Sequence, residues 1–258
     1  MLIGAMNHPE RDPLHEIEWM SGAGLDFVDL TLEPPAAASW LVDPDAIRAA
    51  LAHYALRVVG HTAFYLPISS AIEELRQASL AELRRCVDCF AKVGALWMNV
   101  HPDPHMHFYS TEAMYEQNRR TLRELLDYAA ERGVGLMIEN IPRWFNCVEQ
   151  VAPFLDSMPD LGFHLDIGHA NLCGTDNTTA ELVARYGPRI RHVHLHDNKG
   201  GDADLHLPLG AGTLKFRKEL GELKSAGYDG TITLEVFSRD THYFLHSRDV
   251  LRKTWDAL

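Results

Sequence analysis

Short apolar runs recur along the chain, and each is followed by a longer stretch whose apolar positions return every three or four residues. The first pattern marks a strand and the second an amphipathic helix. Strands are predicted near Leu2 to Ala5, Asp26 to Leu30, Arg57 to His61, Leu96 to His101, Gly135 to Glu139, Gly162 to Asp166, Arg191 to His196 and Thr231 to Val236. The helices between and after them are predicted near Leu14 to Gly22, Pro44 to His53, Ala71 to Val93, Thr111 to Arg132, Cys147 to Ser157, Thr179 to Tyr186, Leu214 to Ala226 and His242 to Ala257. Unbroken βα alternation predicts a parallel sheet sheathed in helices, and eight units close most simply into an α/β fold, a single (β/α)8 TIM barrel over residues 1–258.

In a barrel strand, side chains alternate between the interior and the helix layer, and chemistry sits at the C-terminal strand ends. The polar residues obey one parity in strand after strand. Asn99 and His101 alternate with Met98 and Val100, and His164 and Asp166 with Phe163 and Leu165. His192, His194 and His196 alternate with Val193 and Leu195, and Thr231, Thr233 and Glu235 with Ile232 and Leu234. Ionisable groups are therefore expected inside, at the carboxyl ends, where stability alone has no use for them.

Desolvated imidazoles and carboxylates are costly unless paired or coordinated, and a cation removes that cost. His61, His101, Glu139, Asp166, His194 and Glu235 each close a predicted strand; His169 follows on the next turn, and Asp204 and His206 sit in the loop after the seventh strand. Mixed nitrogen and oxygen donors suit zinc, manganese, iron or cobalt better than the all-oxygen shells of magnesium or calcium. Nine candidates exceed the needs of one ion.

A chain of 258 residues, 46% of them hydrophobic, can bury one large core. Its net charge of -12 repels phosphate, which argues against nucleic-acid and anionic-membrane partners. The apolar run Met1 to Met6 is too short for a signal peptide or a spanning helix, so a cytoplasmic protein without a membrane partner is expected. Four cysteines in this length do not form a disulfide framework, and Cys86 and Cys89 read as core residues on one helix face.

The residues in this order resemble the xylose-isomerase-like superfamily, which includes endonuclease IV, sugar and sugar-phosphate isomerases, and epimerases. The carriers span nearly the whole chain: Gly60-His61-Thr62-Ala63-Phe64, Asn99-Val100-His101-Pro102, Ile138-Glu139-Asn140, His164 through Asn171, Val193 through Asp197, Asp204 through Gly210, and Leu234-Glu235. In the epimerase branch, residues similar to Glu139, Asp166, His194 and Glu235 hold one metal. The resemblance implies that the two glutamates also move a proton through an enediolate, with His169 hydrogen-bonded to a substrate oxygen. In endonuclease IV, positions similar to His61, His101, Glu139, Asp166, His169, His194, Asp204, His206 and Glu235 hold three zinc ions, and all nine are present here. Together with the surplus of candidates, the family resemblance gives an expectation of one to three divalent ions per chain, zinc or manganese foremost. Gly210-Ala211-Gly212 replaces that family's Gly-Glu-Gly, and the start Gly4 to Pro9 lacks the nuclease pattern.

Sugar or sugar-phosphate isomerisation or epimerisation is thus the leading expectation, with multinuclear phosphoester hydrolysis as the alternative. A dehydratase or aldol-type reaction, or metal binding without turnover, ranks below both. Glu33, Tyr65, Arg143, Trp144 and Lys199 overhang the predicted mouth and are candidate contacts to a small polar carbohydrate. His105 and His107 read as ordinary loop residues, and a monomer or homodimer is expected.

Overall fold

The computed structural model describes residues 1–104 and 109–258, so His105 and His107 lie outside the described residues. Strands and helices alternate throughout: β1 (Leu2–Met6), α1 (Pro13–Gly22), β2 (Phe27–Leu32), α2 (Pro44–Tyr54), β3 (Arg57–Thr62), α3 (Glu73–Val93), β4 (Trp97–Val100) and α4 (Thr111–Ala130). The second half continues with β5 (Gly135–Glu139), α5 (Val148–Leu155), β6 (Gly162–Asp166), α6 (Thr179–Tyr186), β7 (Ile190–Leu195), α7 (Phe216–Ser225), β8 (Thr231–Leu234) and α8 (Thr241–Asp256). The strands follow one another from β1 to β8 in a closed barrel, as the alternation predicts.

Several helices start where the chain supplies a capping side chain. The Asp12 carboxylate accepts the Leu14 N–H at 2.9 Å, and Asp43 accepts those of Asp45 at 2.9 Å and Ala46 at 3.2 Å. Pro13 and Pro44 then occupy the first helical position, where a missing N–H costs nothing. Helix α3 stops at Gly94, whose φ of 90° suits only a residue without a side chain.

The chain divides into two compact units. One comprises Met1–Met6, Asn140–Val151 and Phe163–Leu258. Within it β6 pairs with β7, β7 with β8, and β8 with β1, all parallel. Phe163, Leu165, Val193, Leu195, Ile232 and Leu234 are buried with one parity, while His164, His192, His194 and Thr233 are buried with the other.

The other unit comprises Asn7–Glu139 and Ala152–Gly162. There β2 and β3 run in register from Phe27 opposite Arg57 to Leu32 opposite Thr62, and β4 pairs with β3 and β5. Phe90 of α3 packs so tightly on β3 that a Cβ added to Gly60 would lie 2.9 Å from its ring. Cys86 and Cys89 are buried on the same helix, and burial pushes the Cys89 thiol up to about 11, which suits the packing role read from the sequence.

Three strands end sooner than predicted. The ladders stop at Val100, Leu195 and Leu234, so His101, His196 and Glu235 stand just beyond them. Glu235 still donates its N–H to Leu195 O at 3.1 Å, and Asp197 exchanges backbone hydrogen bonds with Leu207 of the following loop. Among the described residues, no helix is long and apolar enough to cross a membrane.

Candidate metal centre

In the first unit, the ends of β6, β7 and β8 carry Asp166, His194 and Glu235. Asp166 is fully buried, and its strand end is pinned by Asn140, which accepts the Asp166 N–H at 2.8 Å and donates to Asp166 O at 2.9 Å. Asp166 Oδ1 accepts the His169 N–H at 2.8 Å, opening the 3-10 turn His169–Asn171. Asp166 Oδ2 accepts no hydrogen bond and lies 4.0 Å from His194 Nδ1, which is 3.3 Å from Glu235 Oε2. His164 and His192 pack beneath, with ring centroids 4.1 and 5.2 Å from that of His194. Both nitrogens of His192 face threonine hydroxyls, Thr231 at 2.7 Å and Thr233 at 3.1 Å, so this layer supports His194.

A second group gathers around Asp204. Asp204 Oδ2 is 3.2 Å from His169 Nε2 and 3.1 Å from His206 Nε2, and Oδ1 is 3.6 Å from His196 Nε2. Burial pushes the Asp204 carboxyl up, but the hydrogen bonds from His169 and His206 outweigh it and hold it below the usual carboxylate range. Burial pushes His206 down, and Asp204 together with Glu235 more than reverses that. His196 is held down by its own burial and so favours the neutral form. His206 is also sandwiched, with ring centroids 4.1 Å from His196 and 4.4 Å from Phe237.

The loop bearing Asp204 and His206 is anchored by Asp197. This buried carboxylate accepts four backbone N–H groups, from Asn198 at 2.8 Å, Gly210 at 2.9 Å, Gly212 at 2.9 Å and Leu214 at 3.0 Å. The approach is close enough that a Cβ at residue 212 would fall 2.1 Å from Asn198 O and 2.3 Å from Asp197 Oδ1. Gly212→Ala is therefore expected to cost at least about 1–3 kcal/mol. Thermal unfolding of the purified variant checks this, and an unchanged midpoint would refute the clamp.

In the second unit, β3, β4 and β5 deliver His61, His101 and Glu139. Glu139 Oε2 is 2.9 Å from His101 Nε2 and 3.7 Å from His61 Nε2, and it accepts a hydrogen bond from Asn99 Nδ2 at 2.6 Å. His61 is held from its other side by Thr31, at 3.5 Å from Nδ1. The nine ligand candidates thus fall into two sets, six drawn together in the first unit and three in the second.

The candidate substrate contacts are dispersed. Glu33 accepts a hydrogen bond from Tyr65, whose hydroxyl is pushed up to about 12 by burial and by the charge and hydrogen bond of Glu33. Tyr65 lies edge-on to Phe64, and Phe64 edge-on to His101, with centroids 5.3 and 6.4 Å apart. Arg143 holds a left-handed backbone (φ 72°) and extends to Asp202 at 3.7 Å, while Lys199 is exposed. Trp144 is partly exposed beside Arg143. The sequence reading missed Phe64, Asp197, His196 and Phe237. Parity pointed to His196, and Phe64 and Asp197 lay within the motifs that carry the resemblance without a role assigned to them, whereas nothing in the local pattern marked Phe237.

A family model described as a xylose isomerase-like TIM barrel matches residues 17–255. An uncharacterized protein of Methanocaldococcus jannaschii is 30% identical over 210 residues, covering 78% of this chain and 70% of its own. L-ribulose 3-epimerase of Methylomonas sp. (strain DH-1) is 26% identical over 231 residues, covering 84% of this chain and 76% of its own. A crystal structure of a D-tagatose 3-epimerase-like protein superimposes with a TM-score of 0.84 at 24% identity, over 100% of this chain and 98% of that one, a likeness of fold. The closed barrel and the match over residues 17–255 agree: the chain belongs to the xylose isomerase-like TIM barrel family.

Proposed function

We propose that this chain is a divalent-metal-dependent sugar epimerase, one catalytic domain acting on a ketose or a phosphorylated ketose. Its relation to L-ribulose 3-epimerase and its likeness to the D-tagatose 3-epimerase-like fold support a reaction of the isomerase and epimerase type. The observation that carries the metal requirement is Asp166 Oδ2, a fully buried carboxylate oxygen that accepts no hydrogen bond and lies 3.4 Å from His169 Nδ1 and 4.0 Å from His194 Nδ1. A buried anion left this way is expensive, and a cation shared with His194 and Glu235 compensates it.

Asp166, His194 and Glu235 would hold the ion, with Glu139 as fourth ligand on the family resemblance. When bound, it supplies Lewis acidity to a substrate carbonyl and the neighbouring hydroxyl, acidifying the C–H between them. Glu235 removes that proton as a general base, and Glu139 returns one on the opposite face. We assign His169 to the Asp204 group in place of the substrate contact expected from sequence, because its Nδ1 faces Asn140 O at 2.9 Å and its Nε2 faces Asp204. Glu33 and Tyr65 offer a polar pair for hydroxyls, Trp144 a face for the sugar ring, and Arg143 and Lys199 cationic contacts for a phosphorylated substrate.

A second reading, multinuclear phosphoester hydrolysis, draws support from the His61, His101 and Glu139 set, which a single-ion epimerase does not need. The two are separated by incubating the protein with ketopentoses and ketohexoses in deuterated water. Epimerisation is expected to place deuterium at C3 of both epimers, to stop on chelation and to return with manganese or zinc. Nicking of abasic-site DNA at catalytic rates, without deuterium exchange into any ketose, would replace this proposal with the hydrolase.

A further inference from the structure

We infer that Asn99 is a positioning residue for Glu139, holding one oxygen of its carboxylate so that the other meets the reacting carbon. The inference rests on the epimerase reading, in which Glu139 returns a proton, and adds a residue to it. Asn99 lies on β4 two residues before His101, and the register sets it opposite Met137, two residues before Glu139. From there its Nδ2 donates to Glu139 Oε2 at 2.6 Å and lies 3.3 Å from His101 Nε2. His101 Nε2 meets the same Glu139 oxygen at 2.9 Å, and His61 Nε2 stands 3.7 Å from it. These contacts buttress Oε2, which assigns the transferred proton to Oε1.

Of the three groups around that oxygen, Asn99 is the one that cannot change its role. An imidazole nitrogen donates or accepts according to tautomer, and as a cation ligand it donates nothing, whereas an amide nitrogen carries two N–H groups at any pH. The amide orientation is also forced. Turned over, it would press Oδ1 against a carboxylate oxygen, acceptor against acceptor. Asn99 therefore keeps hold of Oε2 whatever state the two histidines take.

Packing gives no reason for an amide at this position. Asn99 is fully buried, and among the described residues its Oδ1 has no hydrogen-bond partner. A buried carbonyl oxygen without a donor is unfavourable, and an apolar side chain of similar shape would avoid the penalty. Its neighbours Met98 and Val100 and the facing Met137 are buried and apolar. The backbone is held in place as well, because the hydroxyl of Thr62, at the end of β3, donates to Asn99 O at 2.9 Å. What the amide does that leucine could not is hold Glu139.

The test follows loss of the C3 proton from each epimer separately, in deuterated water at saturating manganese, for wild type, Asn99→Leu and Asn99→Asp. Leucine removes the donor at similar shape, and aspartate puts a second acceptor in its place. Glu139→Gln identifies the epimer whose exchange depends on Glu139. In both Asn99 variants that exchange should fall roughly 10–100-fold, the usual effect of losing a partner that orients a ligand carboxylate. Exchange from the other epimer, which depends on Glu235, should stay near the wild-type rate, and KM should change little while kcat falls. Asn99→Leu should also bind as much metal as wild type and melt within a few degrees of it. Equal losses from both epimers, loss of metal, or an Asn99→Leu chain that does not fold would show that the amide supports the barrel and would overturn the assignment. Wild-type exchange from both epimers would overturn it too, leaving the epimerase reading intact. Wild type that exchanges the C3 proton of no ketose would remove that reading and this role together.

Discussion

Glu235→Gln is expected to lower epimerisation at saturating metal by roughly 10²–10⁴-fold, the usual contribution of a positioned general base. Glutamine keeps the size of the side chain and one oxygen, but it cannot take up a proton. The carboxylate it replaces is 3.3 Å from His194 Nδ1 and 3.4 Å from His206 Nδ1, an environment that holds its position within the site. The two-base scheme makes a sharper demand than loss of rate. With Glu235 disabled, Glu139 should still exchange the C3 proton of the epimer that presents that proton to it, without inversion. Proton exchange of each epimer, followed separately in Glu235→Gln and Glu139→Gln, should show opposite single-face preferences. If either variant still interconverts the epimers at the wild-type rate, the pair does not share the proton as proposed.

Asp197→Ala is expected to destabilise the protein by at least about 3 kcal/mol, because it leaves up to four backbone N–H groups without their acceptor, each worth about 1–3 kcal/mol when buried. At roughly 2–4 °C per kcal/mol for a chain of this size, the melting midpoint should fall by about 6–12 °C or more. The same change frees the loop that carries Asp204 and His206, so proteolysis within residues 199–213 should begin before global unfolding. Asp197→Asn should be milder, since its remaining carbonyl oxygen still accepts part of the set. A midpoint within about 1 °C of wild type in the alanine variant would show that these hydrogen bonds do not hold the loop.

Element order and barrel class were legible because alternation with periods of two and 3.6 survives in the local sequence, whatever the chain later packs against. Parity carried further. The grouping of His164, His192, His194 and Thr233 on one face and of Phe163, Val193 and Ile232 on the other follows from the strand repeat alone. The nine candidate ligands were legible for the same reason, since each lies at or near the carboxyl end of a strand or on the turn or loop that follows.

Strand boundaries were not legible, because the alternation of polar and apolar positions continues past Leu195 and Leu234, where the described ladders end. Nor does the sequence say which histidine nitrogen faces which group. His196 looked like one more inward residue until the carbonyl of Asp197 and the bare backbone of Gly168 fixed its ring. Asp197 itself reads as an ordinary acid after a strand, yet its role depends on N–H groups 13 to 17 residues further along the chain. The sequence by itself determined the barrel and the inventory of donors, since both rest on short-range periodicity. Only the tertiary structure decided which donors converge, because convergence depends on loop paths and ring orientations that hydrogen bonds between distant residues select.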